Sequence, residues 1–183
     1  MRYYLKILAL TIGAVIALTG CLIIDDDTQP SKVGGSNPTE SQTQSDGDDK
    51  DIPAEFGVGD TVEYKGVKYT LDGIRQHMGG GYTEPDEGKI FVACDFTVVN
   101  NSDKDVVVSG WLESNSYVDG YAVNNNYSAI EDDNELDGTV APGKKLKGSM
   151  GYELDKDWEE LEIHFDLEFW QDKKMVFKIA NDK

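Results

Sequence analysis

The chain has 183 residues, with 17 lysines and arginines against 35 aspartates and glutamates and a formal net charge of −18. Such a surface excludes nucleic acid as a partner, because phosphate binding relies on basic side chains that release counterions, and it is repelled by anionic lipid headgroups. Two histidines and two cysteines form a thin inventory for catalysis, which needs a positioned nucleophile, base or metal.

The first elements in chain order are a short positive start, Arg2 and Lys6, and an apolar run from Ile7 to Leu18. A dozen apolar residues fall short of the roughly 20 that cross a bilayer, so the run reads as a signal peptide over residues 1–20. It closes on Leu18-Thr19-Gly20-Cys21 and passes at once into polar, acidic sequence, the pattern of a bacterial lipoprotein signal. Cleavage between Gly20 and Cys21 then leaves Cys21 as the mature first residue, carrying a diacylglyceryl thioether and, in some bacteria, a further acyl chain such as palmitate. Two acyl chains suffice to hold a protein on a membrane. The expected location is the extracytoplasmic face of the cell membrane. Loss of the signal removes two basic and no acidic residues and brings the net charge to −20.

From Asp25 to Glu55 the chain is Asp, Ser, Thr, Gln, Gly, Asn and Pro with almost no large apolar residue. That composition buries too little surface to offset the entropy of ordering, which predicts a disordered tether across residues 21–55. A flexible chain of this length reaches about 30 Å. The remainder, residues 56–183, suits one domain.

Period-two patterns separated by turn residues dominate the domain, and no long apolar stripe recurs at helical spacing. Thr61 to Lys65 and Val67 to Ile74 read as strands joined across Lys65-Gly66. Lys89 to Asn100 sends Ile90, Val92, Cys94, Phe96 and Val98 to one face and Ala93, Asp95 and Thr97 to the other. It ends in a turn at Asn100 to Asp103, whose side chains bond nearby backbone, and a strand resumes over Val106 to Ser109. Asp119-Gly120 between Tyr117-Val118 and Tyr121-Ala122-Val123 marks a type I′ hairpin. Ala141-Pro142-Gly143 turns into Lys144 to Glu153. A helical turn capped by Asp155, with Trp158 inward, is expected near Asp155 to Glu160. Leu161 to Phe169 alternates with Leu161, Ile163, Phe165, Leu167 and Phe169 inward, and Met175 to Ile179 is the last strand. About eight short strands without helical crossovers predict an all-β, immunoglobulin-like antiparallel sandwich behind the tether.

The landmarks from Val58 to Ile179 resemble a family of bacterial lipoprotein domains of unknown function with an immunoglobulin-like, telokin-like sandwich. That family is related in fold to a small immunogenic protein secreted by mycobacteria. The resemblance is carried by Val58-Gly59-Asp60-Thr61-Val62 leading into Gly66 to Leu71, by Pro85 with Gly88 to Val92, by Asp119-Gly120, by Ala141-Pro142-Gly143 with Gly148, and by Leu161 to Phe165. These are turns and core positions, so the resemblance implies a fold and an extracytoplasmic setting but no catalytic residue.

Several residues are candidates for chemistry. Cys94 lies on an apolar strand face, where a thiol acts as a small hydrophobe. His77 falls in a glycine-containing segment, Gln76 to Glu87, expected as a mobile loop that presents Tyr82. Glu131, Asp132, Asp133, Glu135 and Asp137 form the densest set of oxygen ligands and match the weak calcium sites of extracellular proteins. They also match an ordinary solvated acidic loop. His164 shares its strand face with Glu162 and Asp166 at two-residue spacing, a partial metal-ligand set as well as a normal solvent face. Trp111, Tyr117, Tyr121 and Tyr127 surround the Asp119-Gly120 hairpin; aromatics there either fill the core or mark a recognition surface. Of these and the loop aromatics, Tyr82, Trp111 and Tyr121 are the partner-binding candidates. The sequence therefore predicts a non-enzymatic, lipid-anchored domain without a cofactor that binds a protein or other surface partner. The alternative is a calcium- or metal-binding, or small-ligand-binding, lipoprotein that uses the 131–137 loop or the His164 face.

Overall fold

The structure, a computed structural model, describes residues 29–35, 55–80, 82–131, 134–167 and 173–181. The signal segment, Cys21, most of the tether, Asp132, Asp133 and Phe169 lie outside the described residues. Among the described residues no helix is long and apolar enough to cross a membrane.

Among the described residues twelve strands run in chain order: β1 Ser31–Gly34, β2 Glu55–Phe56, β3 Thr61–Tyr64, β4 Val67–His77, β5 Lys89–Asn100, β6 Val106–Ser109, β7 Ser114–Val118, β8 Tyr121–Val123, β9 Asp137–Val140, β10 Lys145–Asp155, β11 Glu160–Asp166 and β12 Lys174–Ala180. They form a five-stranded sheet in the order β1-β3-β4-β5-β10, a second in the order β2-β12-β11-β7-β8, and a β6-β9 pair. The expected all-β sandwich is present, with more strands than the period-two runs predict.

The sheets meet on alternating apolar side chains. Phe96 of β5 stands edge-on to Phe165 of β11 at 5.5 Å and to Phe177 of β12 at 5.4 Å, and Phe165 meets Phe177 at 6.2 Å. Such edge-to-face pairs add about 0.5–1.5 kcal/mol each beyond the area they bury. Cys94 belongs to the same core; it is fully buried and unbridged, and burial pushes its thiol well above the ordinary range. A buried hydrogen bond of 2.8 Å between the hydroxyls of Tyr152 on β10 and Ser116 on β7 also crosses between the sheets.

The turn chemistry is realised where the sequence places it. Lys65 and Gly66 both take positive φ, 47° and 79°, and so do Asp119 and Gly120, 50° and 81°, which is the backbone of a type I′ turn. Asp119 further accepts the backbone N–H of Glu159 at 3.0 Å and of Glu160 at 2.8 Å, fixing the hairpin to β11. Asn100 at the end of β5 is fully buried. Its Nδ2 donates to the carbonyls of Lys104 and Val140, both at 2.7 Å, and its Oδ1 accepts the Ser102 N–H at 2.9 Å. One side chain thus ties the β5 terminus to the β6-β9 pair.

Four expectations need correction. Ser31–Gly34, assigned to the disordered tether, pairs antiparallel with β3 as an edge strand, held also by Lys32 at 2.7 Å from Asp60. Glu55–Phe56 adds to β12 in parallel, so the sandwich is not purely antiparallel. Asp155 to Glu160 makes a tight turn without a helix; Trp158 N–H donates to the Asp155 carbonyl at 3.1 Å while the indole is buried as expected. His77 ends β4 and is not in a free loop.

Replacement of Asn100 by Ala orphans buried backbone groups at the end of β5. Each such group costs about 1–3 kcal/mol, so chemical denaturation of Asn100→Ala is expected to show a loss of about 3 kcal/mol. A loss below about 0.5 kcal/mol would show that the side chain does not tie these elements together.

Candidate functional site

The Ser109 to Glu113 bend between β6 and β7 is held by its own hydrogen bonds. Glu113 N–H donates to the Ser109 carbonyl at 3.0 Å, Leu112 N–H to Ser109 Oγ at 3.3 Å, and Ser109 N–H to Glu113 Oε2 at 3.1 Å. Gly110 at its tip donates to the Leu136 carbonyl at 2.8 Å and accepts Asn125 Nδ2 at 3.1 Å. This bend presents Trp111.

The chain after β8 crosses onto the outer face of the first sheet. Asn126 N–H donates to the Gly151 carbonyl at 2.7 Å, and Asn126 Oδ1 caps the 3₁₀ turn Tyr127–Ala129 by accepting Ser128 N–H at 2.9 Å. The crossing needs glycine beneath it, because a Cβ on Gly151 would lie 2.5 Å from the Asn126 carbonyl oxygen and 2.9 Å from Ala129 Cβ. Ala93, the neighbour of Gly151 on β5, is fully buried for the same reason. The next segment runs along the open edge of β10, where Ser149 N–H donates to the Asn134 carbonyl at 2.8 Å and Leu136 N–H to the Ser149 carbonyl at 3.0 Å.

Between these three segments lies a crevice of about 290 Å³. Trp111 and Tyr127 stand at it as a parallel stack, ring centroids 4.8 Å apart and planes 7° from each other. Half of Trp111 and 46% of Tyr127 remain open to solvent. Glu135 and Asp137 also line the crevice, and neither pairs with a cation among the described residues. Partial burial together with these two carboxylates pushes the Tyr127 hydroxyl up. A smaller hollow of about 200 Å³ adjoins the crevice through Trp111 and Asn125.

Of the partner-binding candidates, the structure brings Trp111 to this crevice but not Tyr82 or Tyr121. Tyr82 is fully exposed on the β4-β5 loop and Tyr121 is 78% exposed on the edge strand β8. The core-packing reading fails for Trp111, Tyr121 and Tyr127; Tyr117 is half-buried against His164. Sequence reasoning names Tyr127 among the aromatics around the hairpin but not as a partner-binding residue, and it misses Asn125, because only the crossing over Gly151 places them beside Trp111.

The metal-ligand candidates are dispersed. Glu131 lies 3.3 Å from Arg75 Nη1 and 3.6 Å from His77 Nδ1, whereas Glu135 and Asp137 turn to the crevice. Arg75 also holds Asp95 by two contacts of 2.9 Å, and Ser149 Oγ donates to Asp95 at 2.7 Å; burial opposes ionisation of Asp95, and these bonds overcome it and hold its carboxyl below the usual range. His77 is built into the fold, with Nδ1 accepting Gly79 N–H at 3.1 Å and Nε2 at 2.9 Å from the Ala129 carbonyl. His164 Nε2 sits 2.7 Å from Glu162 Oε2, while Asp166 accepts Asn115 Nδ2 at 3.0 Å. Among the described residues no three His, Cys, Asp or Glu side chains come close enough to hold a metal ion.

Replacing Gly151 by Ala pushes the Asn126 to Ile130 crossing away from β10, with an expected stability loss of about 1–3 kcal/mol and a red shift of Trp111 fluorescence as its stack loosens. An unshifted emission would show that the crossing does not set the stack. The hydrogen bond from His164, aided by Lys178, holds the Glu162 carboxyl below its usual range. Its contribution is therefore complete above the unfolded value, about 4.3, and is lost as pH falls through the lower folded value. Glu162→Gln is expected to flatten the stability-against-pH curve below about pH 4.5; an unchanged curve would remove this pair from the acid response.

Known proteins of the same fold accompany this geometry at low identity. The chain is similar to ycdA, a candidate lipoprotein of Bacillus subtilis, with TM-score 0.56, 13% identity and coverage of 67% of this chain, although it spans only 39% of that protein's length. It is similar to the yjhA protein of Bacillus subtilis with TM-score 0.55, 15% identity, and coverage of 68% of this chain and 99% of that one. No curated protein matches the chain. Residues 56–176 match the family described as Domain of unknown function (DUF4352), and the chain belongs to that family.

Proposed function

We propose that the protein is a lipid-anchored, extracytoplasmic, non-enzymatic domain that holds a protein partner at the crevice beside β10. The observation that carries this reading is the Trp111–Tyr127 stack, two large aromatics left half open on segments fixed by backbone hydrogen bonds. Rigid exposed aromatics beside a concavity are the side chains that dominate binding energy at protein interfaces, and a preformed surface avoids much of the ordering cost of association. The anchor rests on the Leu18-Thr19-Gly20-Cys21 signal, and likeness in fold to a candidate lipoprotein agrees with it. Cys94, buried with its thiol held protonated, offers no nucleophile.

Two measurements test the proposal. A photo-crosslinking residue at Leu112, which lines the crevice and is exposed but lies outside the stack, is expected to give a discrete adduct on intact cells that is lost when Trp111→Ala is added. An adduct unaffected by Trp111→Ala places the partner elsewhere. Cys21→Ser is expected to abolish partition of the full chain into membranes, and unchanged partition overturns the anchor.

A further inference from the structure

The crevice has a consistent chemistry that goes beyond its being a contact surface. Its described lining includes no lysine, arginine or histidine, yet it carries two carboxylates, Glu135 and Asp137, neither with a cationic partner among the described residues. Asn125 stands beside them at the crevice wall. Its Nδ2 donates to the Gly110 carbonyl at 3.1 Å, which fixes the amide orientation, and its Oδ1 is buried without a hydrogen-bond partner. The Trp111–Tyr127 stack supplies flat aromatic surface at the same place. The site therefore offers negative charge and π-faces, which a planar, positive donor complements.

We propose, on the basis of the partner-binding reading above, that the crevice receives an arginine side chain of a basic segment of a protein partner. The guanidinium stacks on the Trp111–Tyr127 pair and donates to Glu135 and Asp137. A guanidinium is planar, always charged, and carries five N–H donors, so it satisfies an aromatic face and several acceptors at once; a lysine ammonium is a compact point charge that does not stack. Size agrees, since about 290 Å³ is at the lower limit of small-ligand pockets and suits one long side chain better than a nucleotide or a sugar chain. The net charge of −18 steers basic partners toward the domain and raises their association rate at low salt.

The test uses the full chain in detergent and the blocked peptide acetyl-Gly-Arg-Gly-amide, compared with the same peptide carrying citrulline, which keeps the shape and removes the charge, or lysine. Binding is read by Trp111 chemical shifts in NMR titration. The arginine peptide is expected to bind at least ten-fold more tightly than the citrulline or lysine peptides and to weaken as salt rises. The double variant Glu135→Gln, Asp137→Asn is expected to erase the preference over citrulline while leaving the fold intact by its amide spectrum. Equal binding of arginine and citrulline, or an undiminished preference in that double variant, overturns the arginine assignment and leaves the crevice as a neutral aromatic contact, provided the cellular adduct still depends on Trp111. Lysine binding as tightly as arginine overturns the stacking geometry. Absence of binding by all three peptides overturns the arginine assignment, and loss of the Trp111 dependence of the adduct overturns the partner-binding reading itself.

Discussion

The crevice exists because two chain segments lie directly against β10. Gly151 admits the crossing that carries Tyr127, and Gly148 admits the Glu135 to Leu136 segment, whose backbone occupies the space a Cβ would need. β10 would otherwise end the first sheet as a long edge with unpaired N–H and C=O groups, the kind of edge that invites pairing with another chain. Its Ser149 and Gly151 backbone groups are instead spent on these segments. The same contacts close the sheet edge and assemble the aromatic and acidic walls, so edge protection and site construction are one structural solution.

Much of the fold was legible because short-range chemistry dictates it. Lys65-Gly66 and Asp119-Gly120 adopt the positive φ values that two-residue hairpins require, and the alternation of Leu161, Ile163 and Phe165 sends these side chains to the core. The site was legible only in part. Trp111 carries an aromatic signal that sequence can notice, but its stacking on Tyr127 depends on a long crossing over Gly151, and no local pattern encodes a contact between a bend and a later 3₁₀ turn. The alternation of β5 likewise implies a solvent face at Phe91 and Ala93, whereas both are buried, Ala93 beside Gly151 under the crossing and Phe91 against the His77 ring. The acidic run from Glu131 reads as one cluster in sequence; in space Glu131 belongs to Arg75, and Glu135 and Asp137 face away to the crevice.

Charge is partitioned in a similar way. On the outer faces of both sheets acidic residues are neutralised locally, Asp95 by Arg75 and Glu162 by His164 and Lys178. At the crevice that pairing stops. Isolated surface ion pairs contribute little to stability, so leaving two carboxylates unpaired beside aromatic rings costs the fold little and keeps a field of one sign at a site where the backbone is held in place.

The edge strand β1 changes the mechanics of the anchor. On the proposed anchor at Cys21, about ten residues separate the lipid from Ser31, and even fully extended they span no more than about 35 Å. A pull on the lipid end then enters the sandwich as shear along the four-residue ladder between β1 and β3, reinforced by Lys32 and Asp60. All of β1 is exposed, so little buried apolar surface opposes its release. On that proposal the exposed β1 ladder, and not the aromatic core, is the part of the sandwich that first bears a load on the lipid end.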